Sequence, residues 1–449
     1  ALAVSLGTYV LAKRFTSMPL AAALMAALSP VFMVSANTVM CDVLMLAFWV
    51  WAVILWLRGI EKDEPVTLVI AGALAAASAL TKYFGVSLIP LLGAYALIER
   101  KPVRLWIAGL LVPVAGLLGY QWITSVIYGR GLLFDATGYA AAIHGRAGAA
   151  EKTFIGLAFT GGGFIAALFY APFVWSKRWI VAGVLLTVAG ALAVTRLKTL
   201  GVAPLVIEGG TRWALAIEFA VFVAAGLSVL LLSVRDFVKS RDAASALLVL
   251  WVFGTFAFAV FFNWTMNGRS ILPLVPAAAI ILMRSLERKG KGKPGILKVF
   301  MPLIPCLFVT VAVLWADASL ANSARIAARH ITGRYAPAGN IWFQGHWGFQ
   351  YYMEEGGARA IEWKKSRIRK GDVIVFPLNN VNLRLIPGDK VTVAEDLRYR
   401  TTPGWLATMS LVPGAGFYAS EWGPLPYLAG EAAPERYLVM FASEDLTLD

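Results

Sequence analysis

The sequence is poor in charged residues and has almost no cysteine. Only 15% of its 449 residues are charged, whereas 59% are hydrophobic and the mean hydropathy is +0.71. Soluble globular proteins do not have this composition. The two cysteines, Cys41 and Cys306, are too few for a disulfide-rich secreted scaffold, and 16 Trp, 14 Tyr and 25 Phe exclude a disordered chain. The composition therefore indicates an integral membrane protein.

Fingerprints of dinucleotide, P-loop and zinc-finger sites are also absent, as are repeats and low-complexity segments. The net charge of +14 would fit a nucleic-acid partner only if it lay on one soluble face. Residues 318–449 hold 14 basic and 13 acidic residues, so a surplus of +13 belongs to residues 1–317. Membrane topology explains that distribution, and we expect no nucleic-acid partner.

Residues 1–317 consist mostly of apolar runs that are candidates for membrane spans of about 20 residues. We predict about twelve spans, of which the pair around Lys82 could instead be one broken element. The chain starts at Ala1 within an apolar run and without Met, so we expect the first span to be incomplete and the parent protein to be longer. The runs lie near 1–12, 19–35, 43–57, 67–80, 84–98, 105–127, 153–175, 179–194, 213–234, 243–262, 270–284 and 296–316.

Alternate connections between these runs differ in basic residues. One set holds 18 Lys and Arg, and the other set holds eight over a comparable length. Cytoplasmic loops carry the excess of positive charge, so the second set is predicted to face outward. This topology places Asp42, Lys82, the connection 128–152 and the C-terminal tail on one outer side.

The tail, residues 318–449, is predicted to form a small extracytoplasmic α/β domain. Short polar-apolar segments alternate there with Gly and Pro, which is typical of strands separated by turns. The predicted segments are 340–344, 346–355, 358–362, 372–376, 390–393 and 436–442. The fold class is therefore a mainly α polytopic transmembrane helical bundle followed by this domain.

Asp42 immediately precedes an aromatic-rich span, which places a carboxylate at the boundary between water and membrane. There it could orient an acceptor, hold a cation or contact a sugar. The simpler interpretation, which the sequence alone favours, is a solvated residue at a helix start, stabilised by the helix dipole.

Two basic residues lie on the predicted outer side, although positive charge is depleted there. Lys82 stands beside Tyr83 between two apolar runs, and Arg269 follows Asn267 at another predicted helix start. An ammonium next to a tyrosine could hold a lipid phosphate, and the planar guanidinium fork suits phosphate recognition. The alternative is that each side chain only extends to the membrane interface.

The connection 128–152 is long for a link between helices and rich in small residues, so we predict a mobile lid. It contains His144 and Arg146. His144 could ligate a metal or move a proton, although an isolated histidine commonly does neither. Glu218, the acidic residue within a predicted span, is shallow, which disfavours an ion-coupled carrier and favours an interfacial site.

An ordered series of motifs resembles the membrane glycosyltransferases of the protein-mannosyltransferase and aminoarabinose-transferase superfamily, the glycosyltransferase family 39-like enzymes. The resemblance covers most of residues 1–316. Its motifs are Leu28-Ser-Pro-Val-Phe32, Val39-Met-Cys-Asp42, Leu80-Thr-Lys-Tyr-Phe-Gly85 with Pro90, and Arg269-Ser-Ile-Leu-Pro273 with Pro276.

This resemblance implies a GT-C fold and transfer of one sugar from a polyprenyl-phosphate carrier to an acceptor, usually with inversion. A carboxylate removes the acceptor proton, and cations stabilise the departing phosphate. The family's principal acidic residue would precede Ala1, so Asp42 matches the supporting acidic site. His144 lies where the aminoarabinose-transferase relatives bind a divalent metal ion. Substrate contacts are expected from Lys82, Tyr83, Arg146, Asn267 and Arg269.

The leading hypothesis is thus a glycosyltransferase of a bacterial-type inner membrane, with a hexosyl or pentosyl donor and an envelope lipid, glycan or protein acceptor. Membrane lipids and a lipid-linked sugar donor are its expected partners. One alternative is a multi-pass transporter or lipid flippase. Another is a receptor-like protein whose tail binds glycans through Trp342, Trp347, Tyr351 and Tyr352, although these aromatics would more simply form the core of the tail.

Overall fold

The computed structural model describes residues 1–143, 148–208, 210–289, 294–430 and 432–447. This part of the chain is mainly helical, and its C-terminal part contains the larger sheet, so the predicted fold class is confirmed. The chain divides into two compact units. The first comprises Ala1–Val311 together with Gly416–Pro426, and the second comprises Ala312–Ala415 together with Tyr427–Asp449.

The helices of the first unit follow one another with short connections. In chain order they are α1 Leu2–Ala12, α2 Pro19–Ala27, α3 Pro30–Ala36, α4 Asp42–Lys62, α5 Pro65–Thr81, α6 Leu88–Ile98, α7 Val103–Tyr128, α8 Leu132–Ile143, α9 Ala149–Gly163, α10 Ala166–Phe169, α11 Ala171–Val174, α12 Lys177–Val194, α13 Trp213–Ser240, α14 Ala243–Ala257, α15 Gly268–Ile271, α16 Val275–Lys289, α17 Ile296–Phe300 and the start of α18 Leu303–Tyr335.

Local sequence explains where several of these helices begin and end. Pro30 starts α3, and the side chain of Ser29 accepts a hydrogen bond from the backbone N–H of Phe32. Proline suits the first helical position because it has no N–H to leave unpaired, and serine is a common cap. The apolar run 19–35 is therefore two helices bent by 63° rather than one straight span.

Seven described helices are long and apolar enough to cross a membrane, or eight if the bent pair α2–α3 is one span. The chain is accordingly a multi-pass membrane protein. The prediction of about twelve spans also counted runs that form shorter apolar helices, namely Leu2–Ala12, Pro65–Thr81 and Tyr83–Ile98. In addition, the run 153–175 is divided among α9, α10 and α11.

Polar contacts join connections that belong to the same charge set. Arg14 donates to Glu61 at 2.9 Å, Lys101 donates to Asp63 at 2.7 Å, and Ser17 donates its hydroxyl to Glu287 at 2.6 Å. All these residues lie in or beside the set with 18 basic residues. The structure therefore gathers that set at one end of the helices, which we call the basic end.

The prediction of a long loop over residues 128–152 is wrong. Residues Leu132–Ile143 form helix α8, and α9 already begins at Ala149. The glycines of this stretch suggested a loop, but α7 supplies side-chain caps for the start of α8. Thr124 accepts from the backbone N–H of Leu132 at 3.1 Å, and Gln121 accepts from that of Phe134 at 3.2 Å.

The connection between α12 and α13 contains two small antiparallel pairs. Strand β1 (Thr199–Leu200) pairs with β2 (Ala203–Pro204), and β3 (Val206–Ile207) pairs with β4 (Gly210–Thr211). These strands are only two residues long.

The second unit holds a five-stranded mixed sheet whose order is β6-β5-β8-β12-β9. Strand β5 runs parallel to β6 and β8, whereas β12 is antiparallel to β8 and β9. The further elements are β5 Ile341–Phe343, helix α19 Trp347–Glu355, β6 Arg359–Ala360, β7 Arg367–Ile368, β8 Val373–Pro377, β9 Val391–Tyr399, β10 Leu406–Ala407, β11 Leu428–Ala429, β12 Glu435–Ala442 and β13 Leu446–Thr447.

Both faces of this sheet are buried. Val373 and Val375 of β8 pack on one side against residues of α18 and α19, while Ile374 and Phe376 face the other core. Successive strand residues point to opposite faces, so the apolar run in β8 reflects two covered faces. Each segment predicted in the tail overlaps one of its helices or strands.

Candidate functional site

Asp42 is the first residue of α4, and its side chain is only 1% exposed. The interpretation as a solvated helix-start residue is therefore wrong, although Asp42 does start a helix. The dipole of α4 favours a negative charge at this position. Next to it, the hydroxyl of Ser78 donates to the Met45 carbonyl at 3.2 Å and joins α5 to the first turns of α4.

Lys82 follows the last residue of α5, and its ammonium donates a hydrogen bond to Oδ1 of Asp42. After Lys82 the chain makes a short 3₁₀ turn, Tyr83–Ser87, that folds back on α5. This turn requires Gly85, because a Cβ there would lie 2.5 Å from the Ser78 backbone. The close approach of the two backbones keeps Lys82 beside α4.

Arg269 reaches the same carboxylate from the connection between α14 and α16. Its Nη1 lies 3.6 Å from Oδ2 of Asp42, and its side chain is 17% exposed. Arg269 belongs to the short helix α15, which Asn267 caps by accepting hydrogen bonds from the Ser270 N–H at 2.8 Å and the Ser270 hydroxyl at 2.9 Å. The cap fixes the backbone from which Arg269 extends.

Asp42, Lys82 and Arg269 together form a charged cluster. The family resemblance assigned them to one site, but their spacing in the sequence does not show that they touch. We call the helix ends that carry the cluster the Asp42 end. Two cations surround one carboxylate, so the cluster has a surplus of one positive charge. Among the described residues, neither Oδ2 of Asp42 nor Nε of Arg269 has a hydrogen-bond partner, although both atoms are buried. Such unsatisfied buried groups are uncommon in proteins and indicate a place for a ligand or for water.

The other expected substrate contacts have different surroundings. Tyr83 is 37% exposed, and its hydroxyl lies 3.3 Å from that of Tyr120. Asn267 is buried, and its side-chain oxygen serves the helix cap described above. His144 and Arg146 lie outside the described residues, so their predicted roles stay predictions.

The described residues contain no group of three or more His, Cys, Asp or Glu side chains that could hold a metal ion. The divalent metal ion implied by the family resemblance therefore has no ligand set in this part of the chain. No chemical step is assigned to it below.

A segment of the tail, Gly416–Pro426, belongs to the first unit and packs against the connection that carries Arg269. We call it the tail insert. The Gly268 N–H donates to the Phe417 carbonyl at 2.8 Å, and the Ser420 N–H donates to the Met266 carbonyl at 2.7 Å. The ring of Tyr418 lies under the Arg269 guanidinium, 5.7 Å from centroid to Cζ.

Sequence reasoning missed the tail insert because it treated the tail as one separate domain. Composition held a signal, since residues 403–430 contain only one charged residue, Glu421, in an otherwise charge-rich tail. That residue accepts a hydrogen bond from the Thr265 hydroxyl at 2.5 Å. An uncharged, Gly- and Pro-rich stretch in a polar domain can thus indicate a segment that packs elsewhere.

A second buried ionic cluster lies at the basic end. Asp236 of α13 is 1% exposed, and its Oδ1 is 3.1 Å from Nε of Arg284 and 2.5 Å from Nη1 of Arg288. Both arginines belong to the 18 basic residues that the charge pattern assigns to connections. They pair with an acid because α13 extends six residues beyond the predicted span.

The tail aromatics divide between core and surface. Trp342 is 9% exposed and belongs to the core on one face of the sheet. Tyr352 packs against the core on the other face. Trp347 and Tyr351 are 51% and 62% exposed, respectively. The expectation that all four form the core therefore fails for these two.

The tail also contains a buried carboxyl. Glu435 is 5% exposed and accepts a hydrogen bond from the Asn379 amide at 2.7 Å. Burial raises its pKa from 4.5 to about 7, and the Asn379 bond offsets only part of that rise. The buried Oδ1 of Asn379 has no partner among the described residues, and a protonated Glu435 could donate to it.

Comparisons with known proteins give one structural likeness and one family match. No curated protein sequence matches the chain significantly. A crystal structure of the Archaeoglobus fulgidus oligosaccharyltransferase in the apo form is 14% identical, with a TM-score of 0.42. The match covers 80% of this chain but 52% of that one, so the chain spans about half the length of that protein. A likeness at this level carries no argument for function.

The family match is more informative because it includes Asp42 and Lys82. Residues 1–125 match the sequence model of the family described as dolichyl-phosphate-mannose-protein mannosyltransferase. This match confirms the resemblance for the motifs within residues 1–125, and it shows that this part of the chain is similar to membrane glycosyltransferases of the GT-C superfamily. The motif that begins at Arg269 lies beyond the matched residues.

Proposed function

We propose that the chain transfers a sugar from a polyprenyl-phosphate-linked donor to an acceptor at the outer face of a plasma membrane. One observation carries this proposal. Asp42, Lys82 and Arg269 bring two cations and a buried carboxylate together at the ends of membrane helices. A polyprenyl phosphate keeps its chain in the membrane and its head group at such helix ends. The family match over residues 1–125 supports the same chemistry.

The positive and negative charges of the cluster have different roles in this reaction. As the bond from the sugar to the carrier phosphate breaks, negative charge grows on the phosphate oxygens. Lys82 and Arg269 stabilise that charge. The Nε–H of Arg269, which has no hydrogen-bond partner among the described residues, is a donor available to a phosphate oxygen. Asp42 contacts both cations and holds them next to each other. This agrees with a supporting role in catalysis rather than with the role of principal base.

The acceptor is proposed to be an envelope lipid, glycan or protein, and the second unit is proposed to lie outside the cytoplasm. The charge pattern supports this orientation, since the basic end carries the loops expected inside. The donor is a hexosyl or pentosyl carrier in this proposal. The divalent metal ion and the role of His144 rest on the family resemblance alone.

Sugar transfer by the full-length protein from a panel of radiolabelled polyprenyl-phosphate sugars tests the proposal. Arg269→Ala should weaken donor use by about ten- to a hundredfold, because a hydrogen bond to a charged group contributes roughly 1.5–3 kcal/mol. Arg269→Lys should recover part of the loss, since an ammonium cannot reproduce the bidentate fork.

Arg196→Ala, which removes an exposed arginine of the same loop set, is the matched control and should change nothing. If Arg269→Ala and Lys82→Ala both keep the wild-type KM for donor and the wild-type turnover, the assignment of this site is wrong. Solute-driven currents without any sugar transfer would instead support the transporter.

A further inference from the structure

The tail insert contacts the charged cluster through Tyr418 and also binds the connection that carries Arg269. It leaves the second unit after β10 and returns to it before β11, and these two strands pair with each other, Leu406 with Ala429. The β10–β11 pair therefore joins the chain before the tail insert to the chain after it. A hydrogen bond from the Gly416 N–H to the Leu425 carbonyl, at 2.7 Å, also joins the two ends of the insert.

Three kinds of contact hold the insert on the connection between α14 and α15. Two backbone hydrogen bonds join Gly268 to Phe417 and Ser420 to Met266. The Thr265 hydroxyl donates to Glu421 and lies 3.3 Å from that of Ser420. Phe417 is fully buried. These contacts fix the backbone of residues 265–268, immediately before Arg269.

Tyr418 then acts on Arg269 directly. Nη1 of Arg269 lies 3.6 Å from the Asp42 carboxylate. Cζ of the same guanidinium lies 5.7 Å from the centroid of the Tyr418 ring. A cation over an aromatic face is attracted by the ring quadrupole. The carboxylate and the ring together restrict where a long, flexible side chain can place its donors, including the buried Nε without a partner among the described residues.

We propose that the tail insert is a positioning element for the phosphate of the donor, with Tyr418 as the residue that holds Arg269 in its binding orientation. This inference rests on the proposed function, because it assigns Arg269 to a lipid-linked phosphate. Its consequence is that a segment of the C-terminal tail completes a binding site otherwise built from the helices. The affinity for the phosphate thus depends on residues of the tail insert, which lie outside all predicted membrane spans.

Equilibrium binding of a radiolabelled polyprenyl monophosphate to the full-length protein in lipid nanodiscs tests the proposal. Tyr418→Ala should weaken binding by about threefold to thirtyfold, as expected for loss of a cation–π contact. Tyr418→Phe should bind like the wild type, because it keeps the ring face that contacts the guanidinium. Trp405→Ala, which removes another tail aromatic that is 57% exposed, is the control and should have no effect.

A double-mutant comparison separates positioning from a general structural role. In an Arg269→Ala background, Tyr418→Ala should cause no further loss, since the ring acts only through the guanidinium. Equal losses in both backgrounds, or wild-type binding by Tyr418→Ala, would overturn the positioning role. If the wild-type protein itself does not bind the polyprenyl monophosphate, the proposed function fails. That result differs from the two outcomes that would overturn only the positioning role of Tyr418.

The contact between the insert and the connection can be tested by cross-linking. Cysteines replacing Thr265 and Ser420, in a background with Cys41→Ala and Cys306→Ala, should form a disulfide in the folded protein, because the two hydroxyl oxygens are 3.3 Å apart. The cross-linked protein should bind the polyprenyl monophosphate with wild-type affinity. Absence of the disulfide, or loss of binding when it forms, would contradict an insert that holds the site in its binding state.

Discussion

At the scale of single residues, the functional candidates are charges of opposite sign that lie next to one another and are mostly buried. Asp42 is nearly inaccessible, and its two cationic partners are themselves mostly covered. Removing one partner from such a group leaves a buried charge uncompensated, whereas replacing both can be nearly neutral. The charges are therefore retained either for folding or for chemistry, and stability measurements distinguish these two roles.

Lys82→Met should destabilise the protein by about 2 kcal/mol, since it removes a charge-assisted hydrogen bond and leaves Asp42 with Arg269 alone. The double variant Asp42→Asn with Lys82→Met should recover most of that loss. Unfolding in mixed detergent micelles, compared with Lys198→Met as an exposed-lysine control, measures both effects. A double variant less stable than either single variant would show that the pair is not coupled as proposed.

Glu435 gives the tail a predictable dependence on pH. Its folded-state pKa of about 7 lies above the unfolded value of 4.5, so the folded state binds more protons between these values. Its contribution to stability is full below pH 4.5 and is lost as the pH rises to 7. Glu435→Gln should stabilise β12 above pH 7 by about 3 kcal/mol, because it keeps a neutral, hydrogen-bonding side chain.

Hydrogen exchange of residues 435–442 in the full chain, corrected for intrinsic rates, measures this effect. Glu362→Gln removes an exposed carboxylate of the same tail and should leave the protection of β12 unchanged. Equal protection of the wild type and Glu435→Gln above pH 7 would mean that Glu435 is ionised at no cost in the folded state.

At the scale of elements, the close helix pairs depend on residues without a side chain. Helices α9 and α13 cross where Gly226 faces Leu157, and a Cβ at Gly226 would lie 2.1 Å from the Leu157 carbonyl oxygen. Close approach of this kind is typical of membrane helices, because lipid supplies no hydrophobic force to drive helices together. By contrast, a Cβ at Gly183 of α12 would meet nothing within 4 Å.

Gly226→Ala should therefore destabilise the bundle by about 1–3 kcal/mol through overpacking. Gly183→Ala, a substitution of the same chemistry in an open helical position, should stabilise it by roughly 0.5–1 kcal/mol. Thermal unfolding of the two variants in detergent compares them directly. Equal effects of the two substitutions would exclude a tight crossing of α9 and α13.

At the scale of the whole molecule, the connections gather at two ends as the charge pattern predicted. Contacts such as Arg14 to Glu61 lie at the basic end, and Asp42, Lys82 and Arg269 meet at the other. The orientation of the two ends relative to the cytoplasm is part of the proposed function. A native cysteine makes it measurable, since Cys41 is exposed beside Asp42 whereas Cys306 is buried.

In intact spheroplasts, an impermeant maleimide should label Cys41 without prior permeabilisation, and Cys41→Ser should abolish the signal. In that background, Lys365→Cys in the tail should also react, because its position is well exposed. Lys62→Cys at the basic end should react only after permeabilisation. Labelling of Lys62→Cys alone in intact cells would reverse the topology and remove the outer-face assignment.

The sequence by itself determined the membrane class, the two-ended distribution of charge and the mixed α/β tail. These follow from composition and from periodic patterns, which depend on residues close together in the chain. Only the tertiary structure decided that Asp42, Lys82 and Arg269 form one cluster, and that residues 416–426 of the tail reach it. Those contacts join residues far apart in sequence through helix packing, and no local pattern encodes such a distance.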